Sequence, residues 1–136
     1  AIDVAKSTIE AKRLAQRCQW VGGDFFESVP AGGDVYLLKH ILHDWDDDRA
    51  IAILQQCHCA LSEGGRVLAI EQVIPPGNKP FMGKFLDLNM LVMCPGGCER
   101  TEAEYRSLFE RAGFELTRIV STLSDTSIIE GMIKSS

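Results

Sequence analysis

Two short apolar runs, residues 35–38 (Val-Tyr-Leu-Leu) and 67–70 (Val-Leu-Ala-Ile), enclose a helical repeat, and this arrangement constrains the fold most. Runs of four apolar residues bounded by polar ones read as buried strands. Between them Ala50, Ile53, Leu54, Cys57 and Leu61 recur at i, i+3, i+4, i+7 and i+11, one face of a helix. Asp46, Asp47 and Asp48 fall where its first turn belongs. The helix dipole favours acids there, so they read as helix-start chemistry rather than metal ligands. Glu63, Gly64 and Gly65 supply a glycine stop. In open α/β sheets ligands bind beyond the carboxyl ends of the strands. The first run is followed within seven positions by Lys39, His40, His43, Asp44 and Trp45, and the second by Glu71. These polar residues form the candidate active site.

The remaining segments extend the alternation. Residues 4–16 carry Val4, Thr8, Ala11, Leu14 and Ala15 on one face and predict a helix. Residues 19–21 predict a short strand stopped by Gly22 and Gly23. Asp24, Phe25 and Phe26 follow. A carboxylate beside aromatic rings could receive the donor edge of a planar ring ligand or cap a turn, and spacing supports both. Pro75 and Pro76 end the second run's pairing. Residues 81–93 are apolar on most sides, which predicts a helix that is buried or covers a pocket. Pro95, Gly96 and Gly97 make a loop that leads to Glu99 and Arg100. Thr101 and Glu104 fit a capping box, with Tyr105, Leu108, Phe109 and Ala112 as the buried face and Gly113 as the stop. Residues 114–120 and 126–133 read as an antiparallel strand pair. The whole predicts an α/β sheet with helices on both faces.

Composition narrows the partners. A formal net charge of −5 over 136 residues argues against a nucleic-acid partner. No apolar run approaches the roughly 20 residues that cross a bilayer, and no signal peptide is seen, so the expectation is a cytoplasmic protein without a membrane partner. Five cysteines are not spaced as a disulfide framework and read as unpaired thiols. Cys57 and Cys59 point different ways on a helix, and Cys94 and Cys98 have no histidine nearby, so no metal site is expected.

Three groups can converge at the strand ends: His43, Glu71 and Glu99. Histidine is suited to removing a proton near neutral pH. A carboxylate on its other ring nitrogen would fix the tautomer and stabilise the cation.

Four motifs, residues 22–26 (GGDFF), 38–45 (LKHILHDW), 71–75 (EQVIP) and 95–101 (PGGCERT), occur together in this order. They resemble the S-adenosylmethionine-dependent O-methyltransferases of the plant caffeate and bacterial polyketide or carotenoid type. The resemblance implies that His43 is the general base for a phenolic or other hydroxyl, flanked by Glu71 and Glu99. It implies that Asp24, Phe25 and Lys39 contact the cofactor, S-adenosylmethionine. It places Asp44, Trp45, Met90, Leu91 and Met93 around a small-molecule hydroxyl acceptor, although the stretch from Met90 to Met93 reads more readily as core and Trp45 is readable as pure core too. It implies a homodimer for the full-length protein.

The family's glycine-rich cofactor loop, the acid that holds the ribose hydroxyls and the amino-terminal helical domain are not seen. Residues 1–136 therefore resemble the carboxyl-terminal portion of a methyltransferase domain. The implied fold is a partial class I (Rossmann-like) sheet with its first two strands missing and an antiparallel terminal pair. Those strands would lie between residues 19–21 and 35–38, so an apolar edge is expected to be open. The 136 residues are expected to rearrange, associate or belong to a longer polypeptide, and to bind cofactor weakly and be inactive by themselves. Two alternatives stand beside the enzyme: a truncated, inactive copy serving as an interaction or oligomerisation module, and a relative that uses the cofactor for another reaction.

Overall fold

The computed structural model of the chain describes residues 2–134. Its elements are α1 (Ile2–Ala11), β1 (Gly33–Lys39), α2 (Asp47–Ala60), β2 (Leu61–Ile74), α3 (Met82–Met93), β3 (Arg100–Thr101), α4 (Glu102–Arg111), β4 (Phe114–Ser121) and β5 (Thr126–Ile133). A single 3-10 turn, Leu42–Asp44, lies between β1 and α2. The main strand order is β1-β2-β5-β4, and β3 pairs with the end of β2. β1 runs parallel to β2, with Lys39 opposite Ile70. β5 is antiparallel to both β2 and β4. The expected α/β fold with an antiparallel terminal pair is present.

The helices start where the sequence supplies caps. The Asp46 carboxylate accepts from Arg49 N–H at 2.9 Å, placing Asp47 and Asp48 in the first turn of α2. Thr101 and Glu104 close a capping box on α4. The apolar face of α2 (Ala50, Ile53, Leu54, Cys57) and that of α4 (Tyr105, Leu108, Phe109) are buried with Val67, Ala69 and Ile129 of the sheet. Each fully buried Leu, Ile or Phe contributes about 1.5–3 kcal/mol. Phe109 lies against Gly131 of β5, where an added Cβ would come 2.5 Å from the ring, so that contact requires glycine.

Several expectations need correction. Residues 19–21 form no strand: they pair with no described strand, and a strand without a ladder partner leaves its backbone groups unmet. α1 stops at Ala11 rather than residue 16, and Arg13 beyond it has φ 56°. α2 ends at Ala60, before its glycines. Gly64, at φ 74°, instead lies within β2, where the register with β1 shifts. Glu71 is not beyond the strand but within it, because β2 runs on to Ile74. β1 is buried on only one side: Tyr36 and Leu38 pack on the core, whereas Val35 and Leu37 are 49% and 58% exposed. Among the described residues β1 is an edge strand, and the face bearing Val35 and Leu37 is uncovered there. α3 is likewise open, with Phe85, Leu88 and Val92 exposed, although it was expected to be buried or to cover a pocket. No helix among the described residues is long and apolar enough to cross a membrane.

Candidate active site

The parallel register brings the distant groups together. His40 continues the ladder by donating its N–H to Ile70 O at 3.1 Å. His40 then takes φ 53°, a left-handed conformation uncommon for residues other than glycine, and the chain turns back across β2. Glu71, completely buried, meets it there. Its Oε1 accepts from the N–H groups of Ile41 and Leu42 at 3.0 and 2.9 Å. The strand's next inward-facing residue thus pins the segment that carries His43.

The loop between α3 and β3 closes the other side. Cys98 N–H donates to His43 O at 2.9 Å, an approach that needs glycine beside it: a Cβ on Gly97 would lie 2.7 Å from the same oxygen. Glu99 N–H donates to Asp87 Oδ1 of α3 at 2.8 Å. The Glu99 side chain, buried, reaches His43 Nδ1 at 2.9 Å. Glu71 Oε2 lies 3.6 Å from the same nitrogen. His43 Nε2 is 3.4 Å from Asp44 Oδ1. The three residues expected to converge do so.

Electrostatics follow from this packing. The hydrogen bond to Glu99 raises the pKa of His43 against the opposing effect of burial, and Glu71 adds to the rise. Burial pushes Glu71 up to about 7, despite the His43 charge and two backbone donors that favour its ionised form. Among the described residues Glu71 Oε2 and Glu99 Oε2 are buried without a hydrogen-bond partner. The buried Tyr105 hydroxyl is also unpartnered among the described residues, and burial and then the two glutamates raise its pKa well above the ordinary value.

An acid with a raised pKa in the fold keeps a proton that the unfolded chain has lost. The fold therefore loses stability as pH climbs from the ordinary 4.5 towards about 7, and the loss persists above that. Glu71→Gln keeps a carbonyl for Ile41 and Leu42 and removes the charge. It should stabilise the fold by roughly 1–3 kcal/mol at pH 8 and by little near pH 4.5. Denaturant midpoints at the two pH values check this, and equal midpoint differences would contradict it.

The other expected residues divide. Trp45 packs edge-on against Phe26 at 4.8 Å and Phe25 at 6.3 Å between ring centres, with the Arg49 guanidinium 5.2 Å from its own ring. Phe25 and Trp45 thus share one aromatic cluster beside the His43 segment. Asp24 caps its own turn, accepting from Phe26 N–H through Oδ1 at 2.9 Å. Its other oxygen has no protein partner among the described residues. Lys39 is exposed at the carboxyl end of β1. Met90 is half-buried, while Leu91 and Met93 are 75% and 73% exposed, so the described residues build no closed wall on that side. All five cysteines are unpaired, as expected. An open groove lined by Val73, Thr101, Arg106, Ile119 and Ser127, among others, touches none of the catalytic candidates.

Sequence reasoning missed Arg100. The side chain is buried and donates to Asp47 Oδ1 through Nε and Nη2 at 3.0 and 2.9 Å. Nη1 donates to Leu42 O at 3.0 Å and Cys98 O at 3.3 Å, and Nη2 donates to Trp45 O at 2.8 Å. One guanidinium thus ties the turn bearing His43 to α2 and to the loop bearing Glu99. Its neighbour Glu99 and the three acids at the start of α2 were the available signals.

The O-methyltransferase domain family matches residues 1–115. The phenazine O-methyltransferase PhzM of Lysobacter antibioticus is 52% identical over 124 residues, which are 88% of this chain and 36% of that protein. The crystal structure of LaPhzM superposes with a TM-score of 0.93 at 46% identity, covering 98% of this chain and 40% of its own. NcsB1, an O-methyltransferase from neocarzinostatin biosynthesis solved with S-adenosylmethionine and 2-hydroxy-5-methyl naphthoic acid, gives a TM-score of 0.88 at 38% identity. The match covers 98% of this chain and 38% of NcsB1. The chain spans about a third of the length of the curated relatives it matches.

Proposed function

The chain belongs to the O-methyltransferase domain family, and from that premise we propose that the intact polypeptide methylates a hydroxyl of a small aromatic or polyketide-like acceptor, with S-adenosylmethionine as donor and His43 as general base. One observation carries the reading. His43 Nδ1 lies 2.9 Å from a buried carboxylate, which favours the tautomer with its proton on Nδ1 and leaves Nε2 as an acceptor.

When bound, the donor supplies a methyl carbon already activated by its sulfonium charge. The protein's work is alignment and removal of one proton. Nε2 takes the hydroxyl proton. The imidazolium so formed is held by Glu99 and faces Glu71 at 3.6 Å and Asp44 at 3.4 Å. Glu71 and Glu99 orient the ring and stabilise its charge. The free oxygen of Asp24 and the Phe25 ring suit a planar heterocycle with a donor edge, and Lys39 lies at the same end of β1. These three would contact the donor's nucleoside. Asp44 and Trp45 border the acceptor side, and Met90, Leu91 and Met93 would complete it once α3 is covered. In this reading residues 1–136 are the carboxyl-terminal portion of the methyltransferase domain, and the intact polypeptide is a homodimer.

A pH profile tests the base. His43 must be neutral to act, and Glu99 is the largest cause of its raised pKa. The acidic limb of methyl transfer should therefore lie above 6.5, the ordinary histidine value. In Glu99→Gln the limb should move to lower pH while the plateau rate falls. The measurement is transfer of labelled methyl to hydroxylated aromatic compounds. A limb unmoved or displaced upward would remove Glu99 from the mechanism. Absence of transfer to any hydroxylated acceptor would leave the interaction-module reading.

A further inference from the structure

Outside the proton-transfer arrangement one group is unexplained. His40 stacks on His43, with ring centres 5.4 Å apart and planes 29° apart. Its left-handed backbone points the ring towards Glu71 in a conformation that a histidine adopts at some cost. His40 Nδ1 lies 3.9 Å from Glu71 Oε2, and His43 Nδ1 lies 3.6 Å from the same oxygen. One donor atom from each of the three residues falls within 4.8 Å of the others. That oxygen is buried and has no hydrogen-bond partner among the described residues, while its twin is fixed by two backbone N–H groups. A rigid carboxylate with an unmet oxygen therefore faces two imidazoles.

We infer that His40, His43 and Glu71 form a binding site for zinc or a similar borderline divalent ion, and that occupancy shuts off methyl transfer. Two imidazoles and a carboxylate are the donor set of open three-ligand zinc sites, whose fourth position is left to water. Bonds of about 2.0–2.1 Å place neighbouring donors about 3.4 Å apart in a tetrahedral site. From 3.6 and 3.9 Å the distances to Glu71 need contract by about 0.2 and 0.5 Å, and the two imidazole nitrogens, within 4.8 Å of each other, close by the larger movement. His40, whose side chain is 40% exposed, has room to move inward. The Ile41 and Leu42 N–H groups orient the liganding carboxylate from behind.

The inhibition rests on the proposed base role. Zinc takes the lone pair of His43 Nδ1, so the one proton of the neutral imidazole, held on Nδ1 beside Glu99, is given up to solvent while Nε2 takes one up; the net change is a shift of tautomer. The nitrogen that would accept from the acceptor hydroxyl is closed.

The test uses the intact polypeptide, freed of metal by a chelator, and the variant His40→Asn. Asparagine tolerates the left-handed backbone, so the turn survives while the imidazole is lost. Cobalt(II) should produce visible absorption of four-coordinate intensity that saturates at one equivalent, and the variant should lack it. Zinc should inhibit methyl transfer reversibly, and half-inhibition in His40→Asn should need at least about tenfold more zinc. Inhibition is read as a ratio within each protein, so a change in basal rate does not affect it. Absent cobalt bands, or equal zinc sensitivity in the two proteins, would overturn the site. Bands that depend on His40, combined with full activity in saturating zinc, would overturn the inhibition by showing that His43 is not the base. Activation by zinc would overturn it too.

Discussion

Replacing His43 by alanine in the intact polypeptide should lower methyl transfer by about 10²–10⁴-fold while leaving S-adenosylmethionine binding unchanged. That loss corresponds to roughly 3–5 kcal/mol of transition-state stabilisation. The expectation follows from where the ring sits. His43 is held by Glu99 at 2.9 Å and faces Glu71 at 3.6 Å, whereas the residues proposed for the donor lie on the 24–26 turn and at Lys39. Removing the imidazole deletes the proposed proton acceptor and none of the proposed donor contacts. The residual rate of His43→Ala should then rise steadily with pH, because hydroxide replaces the missing base and no group near neutrality titrates in its place. Calorimetric titration of S-adenosylmethionine separates the two steps. Turnover within about tenfold of the parent, or loss of donor binding in parallel with rate, would mean that His43 serves the fold and not the proton transfer.

The sequence made the convergence of His43, Glu71 and Glu99 legible for two reasons. Strand ends are marked by short apolar runs, and parallel neighbours bring their carboxyl ends to one rim. The register itself was not legible. Glu71 reads as a residue beyond the strand because apolarity stops at Ile70, yet pairing continues to Ile74. A fully buried acid inside a strand defeats any reading based on hydrophobic runs. The backbone N–H groups that make its burial possible come from residues 29 and 30 positions away. Helix starts were legible because caps are local chemistry, as at Asp46 and at Thr101 with Glu104. Residues 19–21 and α3 show the opposite case. Their apolar residues signal burial, but what a segment packs on is a property of its neighbours. Among the described residues neither finds enough surface to bury against.

Arg100 is the largest unread contribution, and removing it should have the largest effect on stability. Its guanidinium makes five hydrogen bonds to four groups: the Asp47 carboxylate and the carbonyls of Leu42, Trp45 and Cys98. Three of these acceptors lie on the stretch from Leu42 to Asp47, which contains His43, and the fourth belongs to the loop before Glu99. Asp47 is more than half exposed, so its charge returns to water at modest cost. The Leu42 carbonyl, whose bond to Nη1 is buried, has no such recourse. Arg100→Met fills much of the volume but supplies no donor, and should destabilise the intact polypeptide by roughly 3 kcal/mol. Arg100→Lys restores the charge without the planar fork and cannot reach four acceptors at once, so it should recover only part of the loss. Denaturant midpoints at unchanged slope measure both. The positioning role has a separate readout. Under conditions where the Lys variant is fully folded, its rate should fall while donor affinity holds, because the imidazole and Glu99 lose their common anchor. A midpoint shift below about 1 kcal/mol for the Met variant, or a Lys variant with the parent's rate, would show that the loop and the His43 turn hold each other without the guanidinium.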